Sequence, residues 1–146
     1  MASEIVRAAG LLIYRRTGSV NEYLLLQASY EPHHWTPPKG HVDPGEDEWT
    51  AALREVKEEA SIDSSNLDIH KDFSHVMNYE VNGKPKKVTY WLAHLKSDEA
   101  VKPVQLSKEH QNSSWCNVSD AITKAKFPEM GKMLKAADEY LKNKYP

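Results

Sequence analysis

The sequence predicts an α/β protein in which helices pack on a mixed β-sheet. Several short stretches of β-branched and aliphatic residues are separated by turn signals, a pattern that is typical of strands. Two other segments repeat apolar residues at helical spacing, one in the middle of the chain and one near its end. The resulting order, β-β-α-β-β-β-α, favours a layered domain with helices on a sheet.

The first two predicted strands form a hairpin near the start of the chain. They span Ile5–Tyr14 and Glu22–Gln27, where aliphatic residues are concentrated. Residues 15–19, with the sequence Arg-Arg-Thr-Gly-Ser, are expected to form the turn between them. The prolines that follow, at positions 32, 37 and 38, remove backbone donors and therefore exclude a helix in this segment.

The middle of the chain predicts a loop and then an amphipathic helix. Residues 40–46 are expected to be a loop, because the Pro44-Gly45 pair is a turn signal. Asp47 is a suitable N-cap for a helix that runs to Ala60. One side of this helix carries an apolar stripe formed by Trp49, Ala52, Leu53 and Val56.

The second half of the chain predicts three more strands and a final helix. Two strands, Phe73–Tyr79 and Lys86–Leu95, are joined by a turn at Asn82-Gly83, which is a strong hairpin signal. Ser114–Val118 is expected to be a short edge strand. The final helix has an apolar stripe, expected to pack in the core, formed by Met130, Met133, Leu134, Ala137 and Leu141.

The composition is that of an ordinary globular protein, and we expect residues 1–146 to form a single domain. Hydrophobic residues make up 40% and charged residues 27%, which excludes collagen-like and disordered classes. The net charge of −2 gives no support for a nucleic-acid-binding surface. Cys116 is the only cysteine, so an intrachain disulfide is excluded and a reduced, intracellular setting fits.

The cellular setting is inferred from the lack of targeting signals. The apolar run Ala8–Tyr14 is too short to span a bilayer, and no signal peptide or lipidation motif is recognisable. We therefore expect a cytoplasmic protein that binds neither nucleic acid nor membranes, with a nuclear pool left open. Because no long apolar stripe remains without a place in the core, we expect a monomer.

The informative segment is residues 40–62, which concentrates carboxylates on one helix. Glu55, Glu58 and Glu59 lie at positions i, i+3 and i+4, and therefore on one side of that helix. Clustered carboxylate oxygens are the ligands that Mg2+ and Mn2+ prefer. Arg54 can orient a carboxylate by a paired hydrogen bond, and Glu46 can reach the same region from the preceding loop. The alternative is a charged, solvated helix face.

The full spacing favours the metal site, because the segment resembles the Nudix box. That box contains Gly, five residues, Glu, seven residues, Arg-Glu, an aliphatic residue, any residue, Glu-Glu, any residue, Gly and an aliphatic residue. The matching residues here are Gly40, Glu46, Arg54, Glu55, Val56, Glu58, Glu59 and Ile62. Average composition gives such a match by chance roughly once in a million. Ser61 stands where the box has its last Gly, which ends the helix in a left-handed conformation.

Membership of the Nudix family implies an α/β/α sandwich around a mixed β-sheet, formed here by a single domain over residues 1–146. It also implies hydrolysis of a nucleoside diphosphate linked to another group. The resemblance assigns the metal to Glu55, Glu58 and Glu59, with Arg54 orienting Glu55. We expect the replacement at Ser61 to alter the geometry of the helix end more than metal binding.

Segments outside the box resemble the animal asymmetrical diadenosine tetraphosphate hydrolases. They are residues 27–41 (QASYEPHHWTPPKGH), 83–86 (GKPK), 90–93 (YWLA) and 106–111 (LSKEHQ). The similarity extends from about Val6 to about Leu141. It implies that a dinucleoside polyphosphate is cleaved to ATP and AMP by direct attack of water on phosphorus. Mg2+ is the implied cofactor, with Mn2+ as the alternative.

The same resemblance assigns residues to the substrate. Tyr30 and Tyr79 match tyrosines that clamp an adenine ring, and such stacking contributes roughly 1–3 kcal/mol per base. Lys39 and Lys84 match lysines that approach the polyphosphate. Lys86 and Lys87 lie beside the same predicted turn. For these two lysines, exposure to solvent without a contact to the substrate is an equal alternative.

Histidines and one further glutamate complete the predicted site. One of the neighbours His33 and His34, for which we select His34, is expected to donate a hydrogen bond to a phosphate. His41 is expected to do the same, with a surface histidine in a loop as an equal alternative. Glu109 matches a family glutamate near the metals, and it is either a further ligand or the general base. The predicted catalytic residues are thus Arg54, Glu58, Glu59 and Glu109. Cys116 is expected to be inert, and Trp35 and Trp91 are expected to lie in the core.

Three other functions stay open at this point. One is a Nudix hydrolase for diphosphoinositol phosphates or capped RNA, substrates that would favour a more basic surface than a net charge of −2 provides. Another is a module that binds dinucleotides without cleaving them, although the chain retains every acidic residue of the box. The third is a protein-interaction scaffold, for which the sequence has no dedicated feature.

Overall fold

A computed structural model describes residues 5–96 and 104–145. The strands within these ranges are β1 (Val6–Thr17), β2 (Val20–Ala28), β3 (Trp35–Thr36), β4 (Lys39–His41), β5 (Leu67–Val81), β6 (Lys84–Leu95) and β7 (His110–Cys116). The α-helices are α1 (Glu48–Ala60), α2 (Val118–Ala125) and α3 (Pro128–Lys144), with one 3-10 turn at Ser64–Asn66.

The described strands form one mixed sheet, as the sequence predicts. Its main order is β3-β2-β1-β6-β5, while β4 pairs with β1 and β7 pairs with β2. The long pairing of β1 with β6 is parallel, running from Val6 opposite Lys86 to Tyr14 opposite His94. The other pairings are antiparallel.

Helices cover both faces of this sheet, which confirms the α/β/α sandwich. Successive residues of β1 alternate between the two faces because side chains of a strand point alternately to opposite sides. Leu11 and Ile13 belong to the core cluster with α1, whereas Leu12 and Tyr14 belong to the cluster with α2 and α3. All four side chains are fully buried, so β1 contributes to both cores.

Two local predictions are confirmed in detail. The β5–β6 hairpin turns at Asn82 and Gly83, whose φ values of 52° and 79° are those of a left-handed two-residue turn. The predicted stripe of α3 is buried in full, and it comprises Met130, Met133, Leu134, Ala137 and Leu141.

Several element boundaries were wrong. Residues 39–41 form the short strand β4 rather than part of a loop, since Lys39, Gly40 and His41 pair with β1. A strand of three residues is too short to show an alternating pattern. β1 continues to Thr17, and β5 begins at Leu67, with irregular pairing to β6 between His70 and Ser74.

The region before the last helix also differs from the prediction. The seventh strand covers His110–Cys116, and Val118 instead opens α2, which the sequence reasoning missed. Asn117 caps α2 by accepting a hydrogen bond from the backbone N–H of Asp120. Cys116 is buried as expected. Within the described ranges, none of the helices combines the length and apolarity needed to cross a membrane.

The two tryptophans that were assigned to the core are only half-buried. Trp35 packs against the cluster on the α2 and α3 side, and Trp91 packs against the α1 side. Both therefore contribute to the edges of the cores, where part of a large ring meets solvent.

Candidate active site

Helix α1 carries the carboxylates, and side-chain hydrogen bonds hold it in place at both ends. Asp47 caps the start by accepting a hydrogen bond of 2.8 Å from the N–H of Thr50. Ser61 ends the helix in the left-handed conformation, with φ 57° and ψ 34°. Its hydroxyl also donates to the carbonyl of Gln105, at 3.1 Å. Ser61 thus adopts the conformation that the box glycine would have, and it ties the helix end to the segment before β7.

The three box glutamates differ in their exposure. Glu55 and Glu59 are buried, with exposed fractions of 9% and 4%, whereas Glu58 is exposed. The buried side of α1 is formed mainly by alanines and Val56, and Trp49 and Leu53 of the predicted stripe are half-buried. The helix therefore turns two carboxylates toward the protein rather than presenting a solvated acidic face.

Gly40 makes room for one of these carboxylates. It lies on β4 opposite Ala9 of β1, and a Cβ at this position would overlap the carboxyl group of Glu55. Burial raises the pKa of Glu55, although the charge of Arg54 acts in the opposite direction. The first and fourth fixed residues of the box, Gly40 and Glu55, are thus in direct contact.

Arg54 lies among the glutamates and contacts three of them. Its Nε and Nη2 atoms bind the two carboxylate oxygens of Glu46 at 2.9 and 3.0 Å. Its Nη1 atom lies 3.0 Å from Oε2 of Glu55 and 3.1 Å from Oε1 of Glu58. The hydrogen bonds from Arg54 lower the pKa of Glu46 to about 2. The paired hydrogen bond predicted for Arg54 is therefore made to Glu46, and Glu55 receives a single one.

Glu59 is held from the other side by the segment before β7. The hydroxyl of Ser107 donates to Oε2 of Glu59 at 2.9 Å. Nδ1 of His110 lies 2.7 Å from the same oxygen, but its approach is not aligned as a hydrogen bond. Burial acts to raise the pKa of Glu59, but the contacts with His110 and Ser107 outweigh it, so the pKa is lowered.

The carboxyl group of Glu109 contacts that of Glu59. The hydrogen bond between them and the negative charge of Glu59 raise the pKa of Glu109. A divalent cation would relieve the repulsion between the two carboxylates. The oxygen-only donor set and the place left by Gly40 thus fit a hard cation.

Because Arg54 lies among the glutamates, their side chains do not converge on one metal position. Across residues 5–96 and 104–145, no three Asp, Glu, His or Cys side chains converge on one point as a ligand set would. Glu55 and Glu58 instead share the guanidinium of Arg54, which supplies positive charge in the structure described. The oxygens of Glu55 and Glu58 are thus turned toward Arg54, whereas Glu59 faces Ser107 and His110.

A group of cations lies next to the carboxylates. Lys39 of β4 is half-buried, and its pKa is lowered by burial and by the nearby charge of Lys86. Glu59, Glu55 and Glu109 act on Lys39 in the opposite direction. Partial burial, Lys86 and Lys39 likewise lower the pKa of His41. A polyphosphate beside the carboxylates would therefore meet Lys39, His41 and Lys86.

Lys86 rather than Lys84 belongs to this group. Lys86 is half-buried on β6 opposite Tyr79, with its Nζ atom 5.9 Å from the centre of that ring. Lys84 is exposed where β6 leaves the hairpin turn, opposite Val81. The resemblance assigned Lys84 to the polyphosphate and left Lys86 open, and the contact of Lys84 with phosphate stays a prediction.

The predicted base-binding residues lie on the surface. Tyr79 is 43% exposed on β5, and Tyr30 is 66% exposed in the loop between β2 and β3. The loop that carries Tyr30 is tied to the metal-binding side, because the N–H of Ser29 donates to the carbonyl of Glu109 at 2.8 Å. Both tyrosines are therefore available to an adenine ring.

His34 does not join the group around Lys39. Its ring packs against Phe127, which precedes α3, at 4.8 Å between ring centres. It is exposed beside β3, on the side of the sheet covered by α2 and α3. The phosphate contact predicted for His34 stays a prediction, and it would have to be made at this second location.

Two residues of the site were missed because their contacts are distant in sequence. Ser107 and His110 belong to the LSKEHQ segment, from which only Glu109 received a role. Both contact Glu59, which lies in the preceding half of the chain. The signal that could have found them is the resemblance of the whole segment, since no local spacing connects it to α1.

The fold and the carboxylate helix define the class of protein. The NUDIX domain model matches residues 4–137, and the chain belongs to the Nudix family. Nudix hydrolases use divalent metal ions, which agrees with the oxygen-rich cluster on α1.

Two relatives that match nearly the whole chain share one name. The chain is 57% identical to the asymmetrical bis(5'-nucleosyl)-tetraphosphatase of Caenorhabditis elegans, over 94% of this chain and 97% of the relative. It is 46% identical to the enzyme of the same name from Mus musculus, over 93% and 95%. A crystal structure of a C. elegans Ap4A hydrolase binary complex superposes with a TM-score of 0.91 at 56% identity, covering 95% of this chain and 99% of that one.

Proposed function

We propose that this protein hydrolyses diadenosine tetraphosphate, and related dinucleoside polyphosphates, asymmetrically to ATP and AMP. The observation that carries the proposal is the 57% identity to the C. elegans tetraphosphatase over 94% of the chain. An identity confined to the Nudix box would support only the type of chemistry. Here it extends over nearly all of the sheet, the loops and the helices that surround the carboxylates.

The metal in this proposal is Mg2+, with Mn2+ as the alternative. Glu55, Glu58, Glu59 and Glu109 would hold it, because their carboxylates lie together around Arg54 and the segment before β7. When bound, the ion neutralises phosphate charge and lowers the pKa of an attacking water. We also propose a cytoplasmic monomer that acts on small dinucleotides rather than on nucleic acid, in keeping with the net charge of −2.

The chain's own residues supply binding, orientation and a proton acceptor. Lys39, His41 and Lys86 would bind the phosphates, since Lys39 lies beside the carboxylates and the other two lie beside Lys39. Arg54 donates hydrogen bonds to Glu46 and Glu55 and thereby holds these two carboxylates in position. The exposed carboxylates, Glu58 and Glu109, are the two that can accept a proton from water arriving from solvent.

Product analysis tests the proposed reaction. The protein is incubated with diadenosine tetraphosphate and Mg2+, and the nucleotides are separated and quantified. Equal amounts of ATP and AMP are expected. Two molecules of ADP would contradict the asymmetric cleavage, and tight binding without turnover would instead favour a dinucleotide-binding module. Release of mononucleotides from capped RNA or phosphate from diphosphoinositol phosphates at a higher kcat/KM would favour another Nudix activity.

A second experiment tests the direct attack of water. No serine of the chain lies in a nucleophile-elbow pattern, and Cys116 is buried at the end of β7, so we propose no covalent intermediate. In a single turnover in heavy-oxygen water, the label should appear in AMP and not in ATP. Label in ATP alone would place the attack on the other side of the broken bond. Unlabelled products in the first turnover would require a protein oxygen to attack.

A further inference from the structure

A pocket outside the carboxylate cluster lies beside the loop that carries Tyr30. It has a volume of about 390 Å3 and lies between that loop, β3 and the end of α2. The residues that matter for its chemistry are His33, His34, Trp35, Lys124 and Lys126. None of this set belongs to the Nudix box or to the predicted tyrosine clamp, and only His34 was predicted to contact the substrate.

The lining combines a flat aromatic ring with positive charge. Nζ of Lys124 lies 4.4 Å from the centre of the Trp35 ring, and the lining contains no carboxylate. Within the described part of the chain, neither Lys124 nor Lys126 takes part in an ion pair. An aromatic ring that carries a phosphate is the class of ligand that satisfies both features, because the ring stacks and the anion pairs with lysine.

The backbone holds this lining in place. His33 and Lys126 both adopt positive φ values, 60° and 69°, which are uncommon for residues other than glycine. The ring of His33 is engaged, since its Nδ1 atom lies 2.9 Å from the carbonyl of Ala28. The ring of His34 contacts Phe127 instead, at 4.8 Å between ring centres.

The pocket is within reach of a molecule bound at the carboxylates. The N–H of Ala28 donates to the carbonyl of His34 at 2.9 Å, and on its other side Ala28 pairs with His110 of β7. His34 is therefore two strand spacings, about 10 Å, from the residue that follows Glu109. A dinucleotide whose phosphates lie beside Lys39 and Glu109 would extend one of its ends toward this pocket.

We propose that the pocket binds the second nucleoside of the dinucleotide substrate, with the base against Trp35 and the adjoining phosphate beside Lys124, Lys126 and His34. The first nucleoside occupies the surface of Tyr30 and Tyr79. This inference rests on the proposed function and adds a specificity site to it. It also gives the predicted phosphate contact of His34 a location.

The test compares two substrates that differ only in the second nucleoside. They are diadenosine tetraphosphate and adenosine 5'-tetraphosphate, and the measured quantity is the ratio of their kcat/KM values. In Trp35→Leu this ratio should fall about tenfold, since the stacking of one base is removed. The matched control is Trp49→Leu, because Trp49 is also half-buried with a lysine over its ring, 5.2 Å from Lys71 Nζ, but lies on the opposite face of the sheet.

The outcomes separate the pocket from the reaction. The proposal that the second nucleoside binds here would be contradicted if the ratio in Trp35→Leu stayed within twofold of wild type. It would also be contradicted if the ratio fell equally in Trp49→Leu. If Trp35→Leu does not fold, Lys124→Gln should lower kcat/KM about threefold for both substrates, because both carry the phosphate that adjoins the pocket, and unchanged kcat/KM values would contradict the proposal.

A binding experiment keeps the pocket testable if the reaction proves to be different. Calorimetric affinities of the Glu59→Gln variant for the same two nucleotides are compared with and without Trp35→Leu. Loss of the preference for the dinucleotide supports the pocket even if no ATP and AMP are formed. If the preference is unchanged and the wild type forms ATP and AMP, the proposed hydrolysis is supported and the binding of the second nucleoside in this pocket is contradicted.

Discussion

The carboxylate end of α1 and the surface that carries Tyr30 and Tyr79 are built in opposite ways. At the helix, Arg54 contacts three glutamates, while Ser107 and His110 hold Glu59. Of the two tyrosines, Tyr30 is 66% and Tyr79 43% exposed. The carboxylates that we propose for the metal are thus held by other side chains of the protein, and the proposed base-binding groups are left open to the substrate.

This difference follows from what each region must do. Charges that act on a transition state are most effective when they are positioned in advance, because reorganising them during the reaction would raise the barrier. A flat ring that stacks on a base contributes equally before and during the reaction, so exposure costs it little. Substitutions at the helix should therefore lower kcat, and substitutions at the tyrosines should raise KM.

The largest effect is expected from removing one charge of the carboxylate cluster. Glu59→Gln and Glu58→Gln should each lower kcat by about a hundredfold, ~2.7 kcal/mol of barrier, with a much smaller change in KM. Steady-state kinetics at saturating Mg2+ measure this. A loss of less than about tenfold in both variants would show that these carboxylates are not the metal ligands and would break the comparison.

The next effect tests the contact between β4 and α1. Gly40→Ala places a methyl group where the Glu55 carboxyl group lies, so this carboxylate must move. We expect kcat to fall by about thirtyfold, ~2 kcal/mol, while thermal unfolding shows that the domain still folds. The control is Gly131→Ala, since Gly131, like Gly40, has no positive φ, and a Cβ there would meet only the side chain of Ile122, at 3.4 Å. Equal losses of activity in the two variants would contradict a specific role for Gly40.

The same two regions show how far the sequence could be interpreted. Glu55, Glu58 and Glu59 are neighbours through helical spacing, so their clustering was predictable from the sequence. The contact of His110 with Glu59 was not, because it depends on where β7 meets the end of α1. Long-range contacts of this kind are set by the packing of whole elements and leave no local pattern.

The choice between neighbouring lysines had a similar limit. Lys84 and Lys86 point to one face of β6, and only the pairing with β5 shows that Lys86 is opposite Tyr79. The strand β4 and the helix α2 were missed for a different reason. Three residues are too few for an alternating pattern, and the eight residues of α2 follow a strand that lies closer to the N-terminus than expected.

A smaller effect distinguishes the two lysines. Lys86→Met should raise KM about tenfold and reduce its dependence on salt, because a half-buried cation beside Lys39 and Tyr79 is removed. Lys84→Met should change KM by less than about threefold, since Lys84 is exposed. KM measured over a range of salt concentrations separates them. The reverse order would restore Lys84 as the lysine that approaches the polyphosphate.

The base-binding surface should give a modest effect confined to KM. Tyr79→Ala should raise KM for diadenosine tetraphosphate about fivefold with kcat nearly unchanged, because one stacking surface is lost. Tyr79→Phe retains the ring and should behave like wild type. If Tyr79→Ala leaves KM unchanged, the exposed ring is not part of the clamp. A fall in kcat comparable to that of Gly40→Ala would remove the distinction between the two regions.

The smallest effect is at Ser61, where the chain departs from the Nudix box. Ser61 has two roles that can be separated: it adopts the left-handed conformation at the end of α1, and its hydroxyl donates to Gln105. Ser61→Ala loses only the hydrogen bond, whereas Ser61→Gly loses the bond but also relieves the strain of a Cβ in that conformation. Each contribution is about 1 kcal/mol, so the free energy of unfolding in urea should be about 1 kcal/mol higher for Ser61→Gly than for Ser61→Ala and close to that of wild type. Because Glu58 and Glu59 lie in the last turn of the same helix, kcat measured in parallel shows whether this end of α1 stays in place. Equal stability of the two variants would mean that the helix end is not strained, and the box glycine would then need another explanation.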